Sequence, residues 1–251
     1  MSARKRLILI TQGSPFADND GRALAVVQGM ERALPGLHLE WTVTEGRRLA
    51  AVPRRDEWLA NATQDERLPF LCNADERYPV MISGLQKSAI LGPGGQPLFE
   101  VHAKLPLDAA GLSAAAEVLE AVAEGAQAHW GHASPEGYGS EVSAQMRRSA
   151  HGPERSPRGL PMLKLPRHIH SPDIPHYLGW LNYWSAAAAR AIGFPEPARD
   201  AELLSRARRT ASGGWVVQLT DAPLDYNNPA HLDTLKRIYE RFPQIGGRSA
   251  P

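Results

Sequence analysis

The chain has 251 residues, and its 28 lysines and arginines stand against 27 aspartates and glutamates, for a formal net charge of +1. Its 43% apolar and 22% charged residues are typical of a soluble globular protein that buries a real core. The near-neutral charge gives no field to attract nucleic acid or an anionic membrane, and the single Cys72 excludes an intramolecular disulfide and multi-cysteine metal sites.

The N-terminal stretch MSARKRLILITQG places basic residues ahead of an apolar run, as a secretory signal does. The run covers only residues 7–10, whereas a signal peptide needs roughly 7–15 apolar residues. It predicts a buried first strand instead. No stretch approaches the roughly 20 apolar residues of a membrane span, so we expect a cytoplasmic protein without a membrane partner.

The first half of the chain alternates helical and extended patterns. Helical spacing in residues 22–34 ends at Pro35-Gly36, and strict alternation follows in residues 37–44. Further on, the sequence predicts a short helix around Trp58, strands at 68–72, 78–84 and 98–105, and a long helix that Asp108 caps and whose apolar face extends to Trp130.

The second half follows a stretch without periodicity. Residues 133–166 are rich in Gly, Pro, Ser and Arg, which favours a flexible loop between an N-terminal half, 1–132, and a C-terminal half, 167–251. In the C-terminal half we expect a helix at 178–192, a charged helix at 198–209, a strand at 213–220 and a last helix capped by Asn228. The two halves are expected to pack as one α+β domain with a mixed, largely antiparallel sheet and helices packed on it.

The segment PRHIHSPDIPH, residues 166–176, holds His168, His170, Asp173 and His176. Histidines and a carboxylate are metal ligands, and a metal-assisted hydrolase is the alternative function that this segment raises. The prolines leave no regular element to hold the ligands, and the spacing lacks a strict signature. We therefore favour a linker and expect no metal and no cofactor.

Three other groups are candidates for contact with a partner. Asp75 and Glu76 lie between two predicted strands, and Asp221, Asp225 and Tyr226 lie in the stretch TDAPLDYNNP; turns formed by Asx side chains are the alternative reading. Trp180 and Tyr183 lie partly outside the apolar stripe of their predicted helix, where core packing is the alternative to an interface anchor. The third group is a basic run, which is either a contact surface for an acidic partner or a solvated loop: Arg147, Arg148, Arg155, Arg158, Lys164 and Arg167.

Motifs for catalysis are missing from the sequence. The glycine-rich LGPGGQP has no following Lys-Ser/Thr, and G-x-S-x-G and H-E-x-x-H are both absent. Cys72 lies in an apolar strand and predicts an inert buried thiol. We expect a binding protein rather than an enzyme.

Several segments together carry a resemblance to a known group of proteins: DGRALAVVQGMERALPGL, HAKLPLDAA, GWLNYWSAAAARAIGFP and GGWVVQLTDAPLDYNNPAHLDTLKRIYERFPQIGGR. They resemble an uncharacterised family of myxobacterial proteins of this length. That family is similar to immunity proteins of polymorphic-toxin systems, in which a lipoprotein toxin passes between neighbouring cells. The resemblance implies an immunity protein that binds and neutralises a cognate toxin, and it carries over no catalytic residues. The acidic turns would suit a basic toxin cleft and the basic run an acidic toxin surface; the oligomeric state stays open.

Overall fold

The computed structural model describes residues 5–17, 19–44, 46–61, 68–147 and 155–248. Within these residues the chain forms ten strands and seven helices. The strands are β1 (Arg6–Gly13), β2 (Trp41–Val43), β3 (Leu49–Ala51), β4 (Leu71–Cys72), β5 (Met81–Lys87), β6 (Leu98–Pro106), β7 (Ala128–Pro135), β8 (Leu181–Trp184), β9 (Ala207–Arg209) and β10 (Trp215–Gln218). The helices are α1 (Arg22–Ala33), α2 (Arg55–Ala60), α3 (Ala109–Gly125), α4 (Tyr138–Met146), α5 (Ala186–Ile192), α6 (Ala201–Leu204) and α7 (Pro229–Arg241).

All ten strands belong to one sheet, in the order β3-β2-β4-β5-β6-β1-β7-β8-β10-β9. Each pair of neighbours among these strands is antiparallel. The predicted α+β class with a largely antiparallel sheet is therefore confirmed. The sheet runs through both predicted halves of the chain, because β7 pairs with β8.

The first face of the sheet is covered by two helices. Helix α3 contacts β1, β7 and β8, and α1 packs along α3. In β1 and β6 every second residue points into this layer, among them the buried Leu7, Leu9 and Val101. The predicted caps of two helices are confirmed: Asp108 accepts a hydrogen bond from Gly111 N, and Asn228 accepts one from Ala230 N.

The second face is covered only over its C-terminal half. There Tyr138 of α4 packs on His132, Tyr177 packs on Trp130, and Phe242 packs on Trp184. These three covered residues lie on one face because Trp130 pairs directly with Trp184 and His132 lies two residues further along β7. The other half of this face carries exposed side chains on β2, β3 and β5, whereas Cys72 of β4 and Glu100 of β6 are buried.

Several sequence predictions about local structure were wrong. Residues 207–209, predicted as the end of the charged helix, form the edge strand β9, which pairs with β10. Residues 178–192 contain strand β8 before the short helix α5, because Leu181–Trp184 pair with β7 and β10 in the middle of the sheet. A strand that is buried on both faces is apolar along its whole length. Periodicity cannot distinguish such an apolar run from a segment of a buried helix. Trp130, predicted at the end of a helix face, lies in β7.

The stretch predicted as a flexible loop, 133–166, contains the end of β7 and helix α4. It also contains an isolated bridge between Arg155 and Pro161. Helix α4 packs on the sheet through a short apolar side that includes the buried Tyr138 and Val142. Because this side is so short, the sequence shows little helical periodicity and the helix was not predicted. Residues 148–154 of this stretch, including Arg148, lie outside the described residues. Of the helices described, none is long and apolar enough to cross a membrane.

Candidate binding site

The edge of the sheet presents apolar side chains on the second face. Trp41 of β2 lies opposite Ala51 of β3, and Val43 lies opposite Leu49. Directly opposed residues share a face, so these four side chains form one group. All four are exposed, Leu49 to 51% of its surface. Edge strands with exposed apolar residues are a surface on which other chains can pair or pack.

The same face continues into the sheet through a buried residue, Cys72. Trp41 lies opposite Cys72, and Cys72 lies opposite Met81. Further along β5, Leu85 is 55% exposed and lies opposite Glu100 of β6. The 3₁₀ turn that follows β5 adds Ile90 and Leu91, which are also exposed. We call the side chains that β2, β3, β4, β5 and β6 direct to this side the open face.

The open face carries an excess of positive charge. Lys87 of β5 and Lys104 of β6 share it with His102, and Arg6 borders it on β1. Glu100 is the one carboxylate that the described strands β1 to β6 direct to this side of the sheet. Lys87 neutralises that carboxylate, which leaves Lys104 and Arg6 without an ion pair to a described residue.

Glu100 is almost completely buried where the open face meets the covered half. It accepts a hydrogen bond from Gln12 Nε2 at 2.6 Å, and it also pairs with Lys87 and His102. Burial by itself raises the pKa of this carboxyl, but the His102 hydrogen bond and the Lys87 charge outweigh it and lower the pKa to about 2. The side chain is therefore an anion at neutral pH, and it fixes three strands to one another.

A cavity of about 410 Å³ opens beside Glu100, between the sheet and helix α4. Its floor is Ile8, Ile10 and Gln12 of β1, and its roof includes Tyr138, Val142 and Met146 of α4. Lys87 and Leu165 line it as well, and both side chains are partly exposed. The cavity is large enough to hold ordered water or one side chain of a partner.

His132 lines the inner end of this cavity and is buried. Neither of its ring nitrogens has a hydrogen-bond partner among the described residues. Its ring lies between Tyr138 and Tyr177, with centroids at 5.3 and 4.8 Å. Burial lowers the pKa of His132 to about 3, so the imidazole is neutral at pH 7.

His176 is the second buried histidine of the cavity. Its Nε2 lies 2.9 Å from the carbonyl oxygen of Lys164, and because a carbonyl only accepts, Nε2 carries the proton. Burial lowers the pKa of His176 to about 4. The neighbouring Tyr177 is completely enclosed, and burial raises the pKa of its phenol far above the usual range. Neutral rings thus surround one ionised carboxylate.

The structure does not bring the histidine segment together as a metal site. His176 faces Lys164, His168 Nε2 accepts from Arg167 Nε, and Asp173 pairs with His129 of β7. Among the residues that the structure describes, no group of three or more His, Cys, Asp or Glu side chains is placed to hold a metal ion. Cys72 is buried and free.

The predicted aromatic anchors lie inside the protein. Trp180 is buried and donates through Nε1 to the carbonyl oxygen of Thr220 at 2.8 Å. Tyr183 is buried on the first face, and its hydroxyl donates to Glu124 of α3 at 3.0 Å. Both residues therefore belong to the core, the alternative that the sequence left open, because they lie in or beside the central strand β8 rather than on a helix.

The two acidic turns lie far apart. Asp75 and Glu76 form the turn between β4 and β5, and Asp221 follows β10. Four strands separate β5 from β10, which corresponds to about 24 Å at the usual strand spacing. Asp75 accepts from Arg77 N and Asp225 from Asn227 N, as Asx turns do.

Around Asp225 the surface forms a depression. Its volume is about 790 Å³, and it is lined by Asp225 and Tyr226 together with Arg158. Arg158 of the predicted basic run binds inward, to Glu141 and to the carbonyl oxygen of Tyr226. Arg155 donates to the carbonyl oxygen of Gly159. These two arginines are therefore engaged locally, within the cover of the sheet.

Sequence reasoning missed the polar cluster of Gln12, Glu100 and His132. The alternation in residues 98–105 placed Glu100 correctly on the side opposite the core, as a residue facing water. Its burial depends on α4 and residues 155–180 covering that side, which no local pattern reports. If the strand order had been known, Gln12 and Glu100 would have indicated a buried polar cluster, because β1 and β6 pair in the middle of the sheet.

Comparison with known proteins adds the family and the fold. The model of a family described as Domain of unknown function (DUF5953) matches residues 18–250. The chain belongs to this family. No curated protein is similar enough to count as a relative. A solved structure described as the Pseudomonas aeruginosa T6SS protein PA0821 is similar in fold, with a TM-score of 0.54 and 17% identity over 95% of this chain and 73% of the other.

Proposed function

We propose that this protein is an immunity protein, which binds a cognate polymorphic toxin and neutralises it, and that the open face is its contact surface. The observation that carries the proposal is the group of exposed apolar side chains Trp41, Val43 and Leu49 at the β2–β3 edge, with the exposed Leu85 of β5 on the same side of the sheet. Contiguous exposed apolar area on a folded domain is characteristic of a protein interface. The resemblance to immunity proteins and the shared fold with a T6SS protein favour a toxin as the partner.

The charge of the open face narrows the chemistry of this partner. Lys104, Arg6 and His102 lie on the same side as the apolar side chains, and Glu100, the one carboxylate that the described strands β1 to β6 direct there, is already paired. Complementary charge speeds association and excludes wrong partners. The expected toxin surface is an apolar patch bordered by aspartates or glutamates, and the cavity beside Glu100 offers room for one of its side chains.

Co-expression with the product of the adjacent gene tests the proposal, with growth rescue and co-purification scored together. The variant Leu85→Glu puts a charge on the open face, and we expect it to lose rescue and to weaken the complex at least tenfold. Ala198→Glu is the matched control, because Ala198 is exposed and lies outside the open face. Rescue by Leu85→Glu at the level of the control would move the interface elsewhere, and failure of the natural protein to rescue or bind would refute the immunity role.

A further inference from the structure

Three side chains that are distant in sequence meet at the end of β1. Ser14 directly follows this strand, His129 belongs to the neighbouring strand β7, and Asp173 belongs to the segment that covers the sheet. Ser14 Oγ lies 3.3 Å from His129 Nε2, and His129 Nδ1 lies 3.0 Å from Asp173 Oδ1. The group is separate from the open face and from the cavity beside Glu100.

The hydrogen bonds fix the role of each atom. An ionised carboxylate only accepts, so the bond to Asp173 places the imidazole proton on Nδ1. Nε2 is then left as an acceptor that faces the Ser14 hydroxyl. A nucleophile within reach of a base, with the base oriented by a third group, is the arrangement that activates serine for acyl transfer.

Access and rigidity both suit a reaction at this place. Ser14 is exposed, whereas the side chains of His129 and Asp173 are 24% and 34% exposed, so the serine is the most accessible of the three residues. Arg22 donates to the carbonyl oxygen of Ser14 at 3.0 Å and holds the turn after β1. Asp173 is held by its backbone, since its N–H donates to Ser171 Oγ.

We propose that Ser14, His129 and Asp173 form a catalytic triad that transfers the acyl group of a carboxylic ester to Ser14 and then to water. In the first step Ser14 Oγ forms a bond to the carbonyl carbon, the bond from this carbon to the leaving oxygen breaks, and the hydroxyl proton passes to His129 Nε2 and on to the leaving group. In the second step His129 takes a proton from water, and the water oxygen forms a bond to the acyl carbon. The bond from this carbon to Ser14 Oγ breaks, the proton passes from His129 Nε2 to Ser14 Oγ, and the free acid leaves. Because Ser14 is exposed, the substrate is an ester that reaches this residue at the protein surface.

The test uses p-nitrophenyl acetate and the complete protein. We expect a burst of p-nitrophenolate, an acetyl adduct on the peptide that contains Ser14, and labelling of the same residue by a fluorophosphonate probe. Ser14→Ala should remove the burst and the label, and Asp173→Asn should slow acylation at least tenfold because the histidine loses its oriented tautomer.

Two controls separate this activity from other outcomes. Both substituted residues are partly or fully exposed, so circular dichroism and the melting temperature should match those of the natural protein. An adduct on any residue other than Ser14, or a rate that Ser14→Ala leaves unchanged, would overturn the triad. Because Ser14 lies outside the open face, Ser14→Ala should retain toxin binding, so the triad and the immunity role fail or stand independently.

Discussion

Arg241 of α7 holds the fully buried carboxylate of Asp200 through two hydrogen bonds, Nε to Oδ1 at 2.7 Å and Nη2 to Oδ2 at 3.0 Å. Asp200 also accepts from Glu196 N at 2.7 Å. The pair ties the last long helix to the turn before α6. Planar two-point pairing of this kind is stronger than a single contact, and removing one partner leaves a charge in the interior.

Arg241→Met should therefore destabilise the protein by about 3–5 kcal/mol, because Asp200 is left buried without its cation. Urea unfolding at pH 7 measures this loss. The double variant Arg241→Met/Asp200→Asn is the matched control and should recover a large part of it, since asparagine carries no charge to desolvate. A single-variant loss below about 1 kcal/mol would mean that the pair is screened as at a surface.

Stability should fall as the pH drops from 4.5 towards 2, because of Glu100. Its pKa is about 2 in the folded protein and ordinarily 4.5, so the unfolded chain binds this proton first. The contribution is present in full above pH 4.5, is on the order of 3 kcal/mol, and is lost as pH approaches the folded pKa. Unfolding curves between pH 5 and 2 test this for the natural protein and for Glu100→Gln, whose free energy of unfolding should change less steeply. Identical slopes would show that Glu100 is solvated rather than held by Lys87 and His102.

The two buried histidines should cause a separate loss of stability, which begins as the pH falls below about 6.5. His132 and His176 have folded pKa values of about 3 and about 4 against an ordinary 6.5, so between these values the unfolded chain binds protons that the folded protein excludes. Each should lower the free energy of unfolding by about 1.4 kcal/mol per pH unit below 6.5. His176→Gln keeps a donor for the Lys164 carbonyl oxygen and should remove one of these slopes between pH 6 and 4. A variant that titrates like the natural protein would place His176 in contact with water.

Two glycines should respond in opposite ways to alanine. A Cβ on Gly179 would lie 2.8 Å from both His132 Cβ and Ser134 Oγ, whereas a Cβ on Gly139 of α4 meets nothing within 4 Å. Gly179→Ala should cost about 1–3 kcal/mol because this close-packed layer must shift. Gly139→Ala should be neutral or stabilise by about 0.5 kcal/mol, since it reduces the freedom of the unfolded chain. Thermal melts of the two variants measure the contrast, and equal melting temperatures would contradict the close packing of Gly179 on β7.

Local patterns predicted the elements whose two sides differ. In β6 the residues alternate between a helix-covered face and a polar face, and in α1, α3 and α7 one apolar stripe repeats with helical spacing; the caps Asp108 and Asn228 marked two starts. The α+β class follows from these elements. Where both sides of an element are buried, as in β8, the pattern loses its period, and a helix was predicted in place of a strand.

The sequence by itself determined the class of fold and most long elements, because spacing and capping act between neighbours in the chain. The tertiary structure alone decided which residues meet. Glu100 becomes a buried anion only because α4 and residues 155–180 cover its side of the sheet and the flanking strands β1 and β5 supply Gln12 and Lys87. Trp180 and Tyr183 become core residues only because β8 lies between β7 and β10. Ser14, His129 and Asp173 come from three separated segments. Their contact depends on the strand order and on how residues 155–180 pass over the second face of the sheet. Sheet order is set by the burial of whole faces, which is a property of the assembled chain.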